Sequence, residues 1–117
     1  MTNTQKLAKL VQENPNLEIK IFTHYEACGS DDYHWWLTAV HNVSIEEIYH
    51  GDKYGDNERI YIKSSDSDDF MEYVIENNLW DDSKEKGWSD DELHDKAEEI
   101  YISLPWQKVI LVWVRGV

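Results

Sequence analysis

A chain of 117 residues has room for one hydrophobic core, so a single domain spanning residues 1–117 is expected. Hydrophobic residues make up 41% and aromatics 13%, six Trp among them, which excludes a solvated, disordered tail. The formal net charge of −13 argues against direct binding to nucleic acid or an anionic membrane, both of which need Lys and Arg to replace counterions.

The lone cysteine, Cys28, excludes an internal disulfide and a multi-cysteine zinc site. Met1-Thr-Asn-Thr4 lacks the basic and apolar regions of a secretory leader, and no apolar run reaches the ~20 residues of a membrane span. A cytoplasmic setting is the expectation.

Asn3 or Thr4 is placed to cap a first helix, in which Leu7, Leu10 and Val11 recur at i, i+3 and i+4, and Asn14-Pro15-Asn16 ends it. Alternation follows: Leu17, Ile19 and Ile21 on one face, Glu18 and Lys20 on the other, the pattern of a half-buried strand. Cys28-Gly-Ser-Asp-Asp32 reads as a turn. On a second strand Trp35, Leu37, Ala39 and Val43 share a parity opposite His34, Thr38 and Asn42, and a bulge or short break is expected at residues 44–47. Residues 51–57 supply turn chemistry, and Ile60 and Ile62 then alternate with Arg59, Tyr61 and Lys63 in a third strand.

Ser65 or Ser67 can cap a helix with Phe70, Met71, Val74 and Ile75 on one side, ended by Asn77-Asn78. Residues 80–88 read as a polar loop with a Trp at each end. Ser89-Asp-Asp-Glu92 matches a capping box, and the helix it opens places Leu93, Ala97, Ile100 and Leu104 inward before Pro105 stops it. Residues 109–114 are all apolar and four of them β-branched, as in a central strand buried on both faces. The order helix, three strands, two helices, strand implies an α+β domain, with a mostly antiparallel sheet of about four strands and helices on one face.

The charge is unevenly spread. Residues 66 to 99 hold fourteen acids against Lys84, Lys86 and Lys96, so eleven of the thirteen excess negative charges lie there. Solvated helix faces, with acids favoured near N-termini, account for some of this. A surface meant only to be soluble usually mixes both signs, whereas a one-signed field repels itself and suits a basic partner. Asp81, Asp82, Asp90, Asp91, Glu98 and Glu99 are the candidate partner-binding acids. Trp80 and Trp88 are either apolar anchors for that partner or rings packed over the core edge.

Catalytic and metal signals are weak. His24, His34, His41, His50 and His94 form no H-x-x-x-H pair. Asp31-Asp-Tyr-His34 reads as turn and cap chemistry before it reads as a metal site. His41 shares parity with apolar residues and is expected to be a hydrogen-bonded histidine at the core edge. The acids after Cys28 would raise a thiol pKa, against a reactive nucleophile. With no phosphate loop, G-x-S-x-G or H-E-x-x-H, neither enzymatic activity nor a cofactor or metal is expected.

Lys6-Leu-Ala-Lys-Leu-Val-Gln-Glu-Asn-Pro-Asn-Leu17, Asp31-Asp-Tyr-His-Trp-Trp36, Glu58-Arg-Ile-Tyr-Ile62 and Leu104-Pro-Trp-Gln-Lys-Val-Ile110 resemble a group of small acidic proteins from phages and prophages of Gram-positive, Firmicutes-type bacteria. The resemblance spans most of the chain, and its motifs are structural rather than catalytic. It implies a phage-borne accessory protein in the host cytoplasm and carries over no active site. By analogy of class, such a protein inhibits a basic host protein or nuclease complex, as anti-CRISPR proteins and DNA mimics do. The alternatives are a phage structural or assembly protein, for which a homodimer is open, and an immunity protein for a basic toxin nuclease.

Overall fold

A computed structural model describes residues 1–23 and 37–116. The architecture is α+β: α1 (Asn3–Glu13), β1 (Glu18–Thr23), β2 (Thr38–His50), β3 (Ile60–Ile62), α2 (Ser67–Val74), a π-helical turn (Ile75–Leu79), α3 (Trp80–Lys86), α4 (Asp90–Ser103) and β4 (Gln107–Gly116). The chain divides into two compact units, Met1–Glu46 with Lys108–Val117, and Glu47–Gln107. The strand order is β1-β4-β2-β3. The turn expected at residues 28–32 and the positions of Trp35 and His34 lie outside the described residues.

The sheet is mixed rather than mostly antiparallel. β1 runs parallel to β4, from Glu18 opposite Val109 to Thr23 opposite Val114, while β2 and β3 are antiparallel. Apolar patterning marks a buried strand without giving its direction, and the long stretch of chain between β1 and β4 supplies the connection that parallel pairing needs.

In the first unit, α1 is capped at Thr2, one residue before the earlier of the two expected positions. The Thr2 hydroxyl accepts from Gln5 N at 3.1 Å and Gln5 Oε1 accepts from Thr2 N at 2.8 Å, a complete capping box. This frees the Asn3 side-chain amide to donate to Val40 O on β2 at 2.9 Å. Asn14 closes the helix, donating its backbone N–H and its Nδ2 to Leu10 O. Leu7, Leu10 and Leu17 pack with Val40, Ile45 and Val114 on a buried cluster of Val43, Ile110 and Val112. As expected of a central strand, β4 is buried on both faces, with no exposure at Val109, Ile110 or Leu111 and 3% at Val112. Two apolar expectations fail. Ile19 and Ile21 are 44% and 61% exposed although they pair in register with Ile110 and Val112; on this edge strand the half-buried residues are Lys20 and Phe22, on the opposite face. Leu37 and Ala39 are exposed, and Val40 packs into the core with Val43 instead.

In the second unit, β2 continues without the expected break at residues 44–47. Ile45 belongs to the first unit's core and Tyr49 to the second's, so no single amphipathic pattern describes the strand. β3 also departs from simple alternation: Tyr61 is buried along with Ile62, and its hydroxyl accepts from Asp56 N at 2.9 Å. The turn before it depends on Gly55, whose φ of +80° and position against the Tyr61 and Phe70 rings leave no place for a Cβ.

Neither Ser65 nor Ser67 caps α2. Asp66 stands at the N-cap, and its carboxylate accepts from Ile62 N at 2.7 Å and pairs with Arg59 at 3.2 Å rather than capping the helix. Asn77-Asn78 does not end the helical run, and residues 80–88 are not a loop. The run passes through the π-helical turn into α3 and stops at Gly87, with φ +67°. Two observations explain the continuation. Asn77 Nδ2 bonds back to Tyr73 O at 3.0 Å, and the turn buries Leu79, so tertiary packing overrides the local preference of the asparagines. α4 begins at the expected N-cap, with the Ser89 hydroxyl accepting from Glu92 N at 3.2 Å, but the reciprocal bond from Ser89 N to the Glu92 side chain that would complete a capping box is not made; the helix buries Leu93, Ala97 and Tyr101.

These helices cover an aromatic core. Phe70 has no exposure and meets Tyr61 edge-on at 5.1 Å, Tyr101 at 5.4 Å and Tyr49 at 6.4 Å. Trp106 lies 4.9 Å from Tyr101, to whose carbonyl its indole N–H donates at 2.9 Å. The Tyr101 hydroxyl donates to Lys63 O.

Candidate protein-binding surface

The acidic stretch maps onto α2, the π-helical turn, α3 and α4, all in the second unit. Helical spacing orders its carboxylates. On α4, Asp91, Asp95 and Glu98 fall at i, i+4 and i+7 in one outward row, and Glu92 and Glu99 fall in a second. On α2 and the following turn, Asp68, Glu72 and Glu76 fall at i, i+4 and i+8. Asp81, Asp82, Asp90, Asp91, Glu98 and Glu99 are all exposed. Asp91 and Glu98 share a row, Glu99 lies in the next, Asp90 stands in the first turn of α4, and Asp81 and Asp82 sit on α3.

Few cations offset them. Arg59 bridges Asp66 at 3.2 Å and Asp69 at 3.0 Å. Burial alone would lower the Arg59 pKa, but the hydrogen bond that the guanidinium donates to Asp69 and the charges of both carboxylates outweigh it and hold it above its ordinary value. Lys96 reaches Glu99 at 4.0 Å. The other eleven carboxylates of the stretch have no ion-pair partner among the described residues. The three lysines sit over indole rings: Lys84 is 5.1 Å from the Trp80 centroid, and Lys86 and Lys96 are 5.1 and 5.8 Å from that of Trp88.

The two tryptophans differ. Trp88 is half-buried against the aromatic core, whereas Trp80 is 48% exposed on α3 and offers apolar area to a partner.

A cavity of about 260 Å³ lies between α2 and α4, lined by Asp68, Met71, Glu72, Ile75, Glu76 and His94. None of these was among the candidate binding residues, although the i, i+4, i+8 spacing of the three acids was visible; their meeting with His94 depends on how α2 packs on α4. The His94 ring and the carboxylates of Asp95 and Glu98 also come within 4.8 Å of one another. All three are exposed, and acidic groups on a helix face approach one another in this way without an ion, so the cluster does not assign a metal. His41 is hydrogen-bonded as expected but exposed rather than at a core edge. Its Nε2 accepts from Arg115 Nη2 at 2.7 Å, because a guanidinium has only donors. Cys28 and the 31–34 cluster lie outside the described residues.

No family model, curated protein or solved structure matches the chain. Among the described residues no helix is long and apolar enough to cross a membrane.

Proposed function

We propose that the protein is a phage-borne, non-enzymatic inhibitor whose acidic helices bind a basic host protein and occupy the groove in which that protein, or its nuclease complex, holds nucleic acid. One observation carries the reading: eleven carboxylates spread over α2, the π-helical turn, α3 and α4 have no ion-pair partner among the described residues, and the lysines of these helices lie over Trp rings. Rows of carboxylates roughly 5–6 Å apart on rigid helices form a fixed, one-signed field of the kind that steers a basic partner. Exposed Trp80, on α3, supplies an apolar anchor among them.

The test is capture of a partner from a Gram-positive bacterial lysate, followed by binding kinetics at ~0.05 and ~0.5 M salt. Changing Asp81, Asp82, Asp90 and Asp91 to Asn should slow association by roughly tenfold or more, and added nucleic acid should compete. Glu13, Glu18, Glu46 and Glu47, changed to Gln together, are the control. If both variants associate alike, or salt has no effect, the acidic run is only a solvated surface.

The 44% and 61% exposure of Ile19 and Ile21 favours a second reading, self-assembly through β1. A monomer at every concentration in light scattering would remove it.

A further inference from the structure

We propose that the cavity between α2 and α4 seats one arginine side chain of the basic partner, an inference that rests on the reading of the second unit as a binder of such a protein. Its floor is apolar, formed by Met71, which is 8% exposed, and half-buried Ile75. Asp68, Glu72 and Glu76 line it along one helical row, and His94 enters from α4. The three carboxylates have no ion-pair partner among the described residues, which sets them apart from Asp66 and Asp69, already held by Arg59. At about 260 Å³ the cavity, which opens to solvent, lies just below the ~300–1,000 Å³ typical of small-molecule and cofactor sites and has room for one long side chain.

The combination of apolar floor and acidic rim selects an amphipathic cation. A long side chain lays its methylenes on apolar surface and keeps its charged head at the edge. Successive carboxylates of the row stand roughly 6 Å apart along the helix, a separation that a planar guanidinium with five donors can bridge. An ammonium is a compact, strongly hydrated point charge that engages one carboxylate at a time, and lysine is depleted at interfaces where arginine is enriched. The π-helical turn that begins at Ile75 widens the backbone along this wall, and such turns are frequent at functional sites.

The test is an amide NMR titration at low salt with the peptide acetyl-Gly-Arg-Gly-amide and its lysine and citrulline counterparts. The arginine peptide should shift the amides of residues 68–76 and of His94 saturably, with a Kd on the order of 1 mM. The lysine peptide should bind several-fold more weakly, and the citrulline peptide should give no saturable shift. The exposed double change Glu72→Gln with Glu76→Gln should weaken arginine binding by roughly tenfold in a spectrum that otherwise shows the native fold. Glu13→Gln with Glu18→Gln, in the first unit and outside the acidic stretch, should leave it unchanged. Shifts spread evenly over α2, α3 and α4, or equal for the lysine and arginine peptides, would mean diffuse counterion attraction and overturn the pocket. The Glu72/Glu76 variant and Asp90→Asn with Asp91→Asn are then compared against the captured host protein. Slowing by the Asp90/Asp91 change alone overturns the pocket and leaves the broader reading standing; no slowing by either removes both.

Discussion

Replacing Phe70 by alanine tests whether the aromatic cluster is the core of the second unit. The ring has no solvent exposure and three aromatic neighbours within 6.4 Å. Removing a buried Phe costs ~3–5 kcal/mol in lost transfer free energy and cavity formation. Each aromatic pair contributes ~0.5–1.5 kcal/mol beyond its buried area, although pairs that share one ring do not add independently. Collapse into the gap is limited, because Gly55 faces the ring with no side chain to fill the space. These considerations place the loss near the top of the range, at ~4–5 kcal/mol, a large part of the ~5–15 kcal/mol by which a domain is usually stable. Urea unfolding followed by far-UV circular dichroism and indole fluorescence reads it directly, provided the m-value is unchanged. Amide exchange along α4 should accelerate in parallel, since Leu93, Ala97 and Tyr101 belong to the same cluster. A loss below ~2 kcal/mol with an unchanged m-value would refute the assignment of Phe70 as the centre of this core.

Val112→Asp should unfold the first unit, because it buries an unpaired charge in a strand with no solvent face, and a cooperative melt close to the parent's would contradict this. Ser89→Ala should cost ~1 kcal/mol by removing the hydroxyl that accepts from Glu92 N; unaltered exchange at the Glu92 amide would count against the cap. The Tyr101 phenol is raised above its ordinary value of 10.0, first by burial and then by the charge of Asp66. The folded state therefore holds this proton more tightly than the unfolded chain does. The stabilisation is full below pH 10.0 and is lost as pH rises through the folded value. Tyr101→Phe should cost ~1 kcal/mol at neutral pH through the lost bond to Lys63 O and should flatten the alkaline decline, which denaturant titrations between pH 8 and 11 would read.

What the sequence determined by itself is local or summed along the chain. Residues 109–114 declared a strand buried on both faces because no period of two interrupts them, and Ser89 declared a helix start because an N-cap needs only a hydroxyl and the next turn. The concentration of charge in residues 66–99 was likewise legible, since it depends on no contact. Tertiary structure decided whatever depends on a distant partner. The parallel pairing of β1 with β4 follows from which strands meet, and strand patterning carries no direction. Asp66 serves Ile62 N and Arg59 rather than the helix it precedes, so the cap expected from Ser65 or Ser67 did not form. Burial of Leu79 carried the helical run through Asn77-Asn78, turning an expected loop into α3 and leaving Trp80 exposed while Trp88 packed on the core. The cavity between α2 and α4 exists only because that packing sets His94 beside a row of acids otherwise indistinguishable from their neighbours. An acid's charge is intrinsic to its side chain, but whether it neutralises a cation, bonds a backbone amide or lines an apolar hollow is fixed by the elements that fold against it.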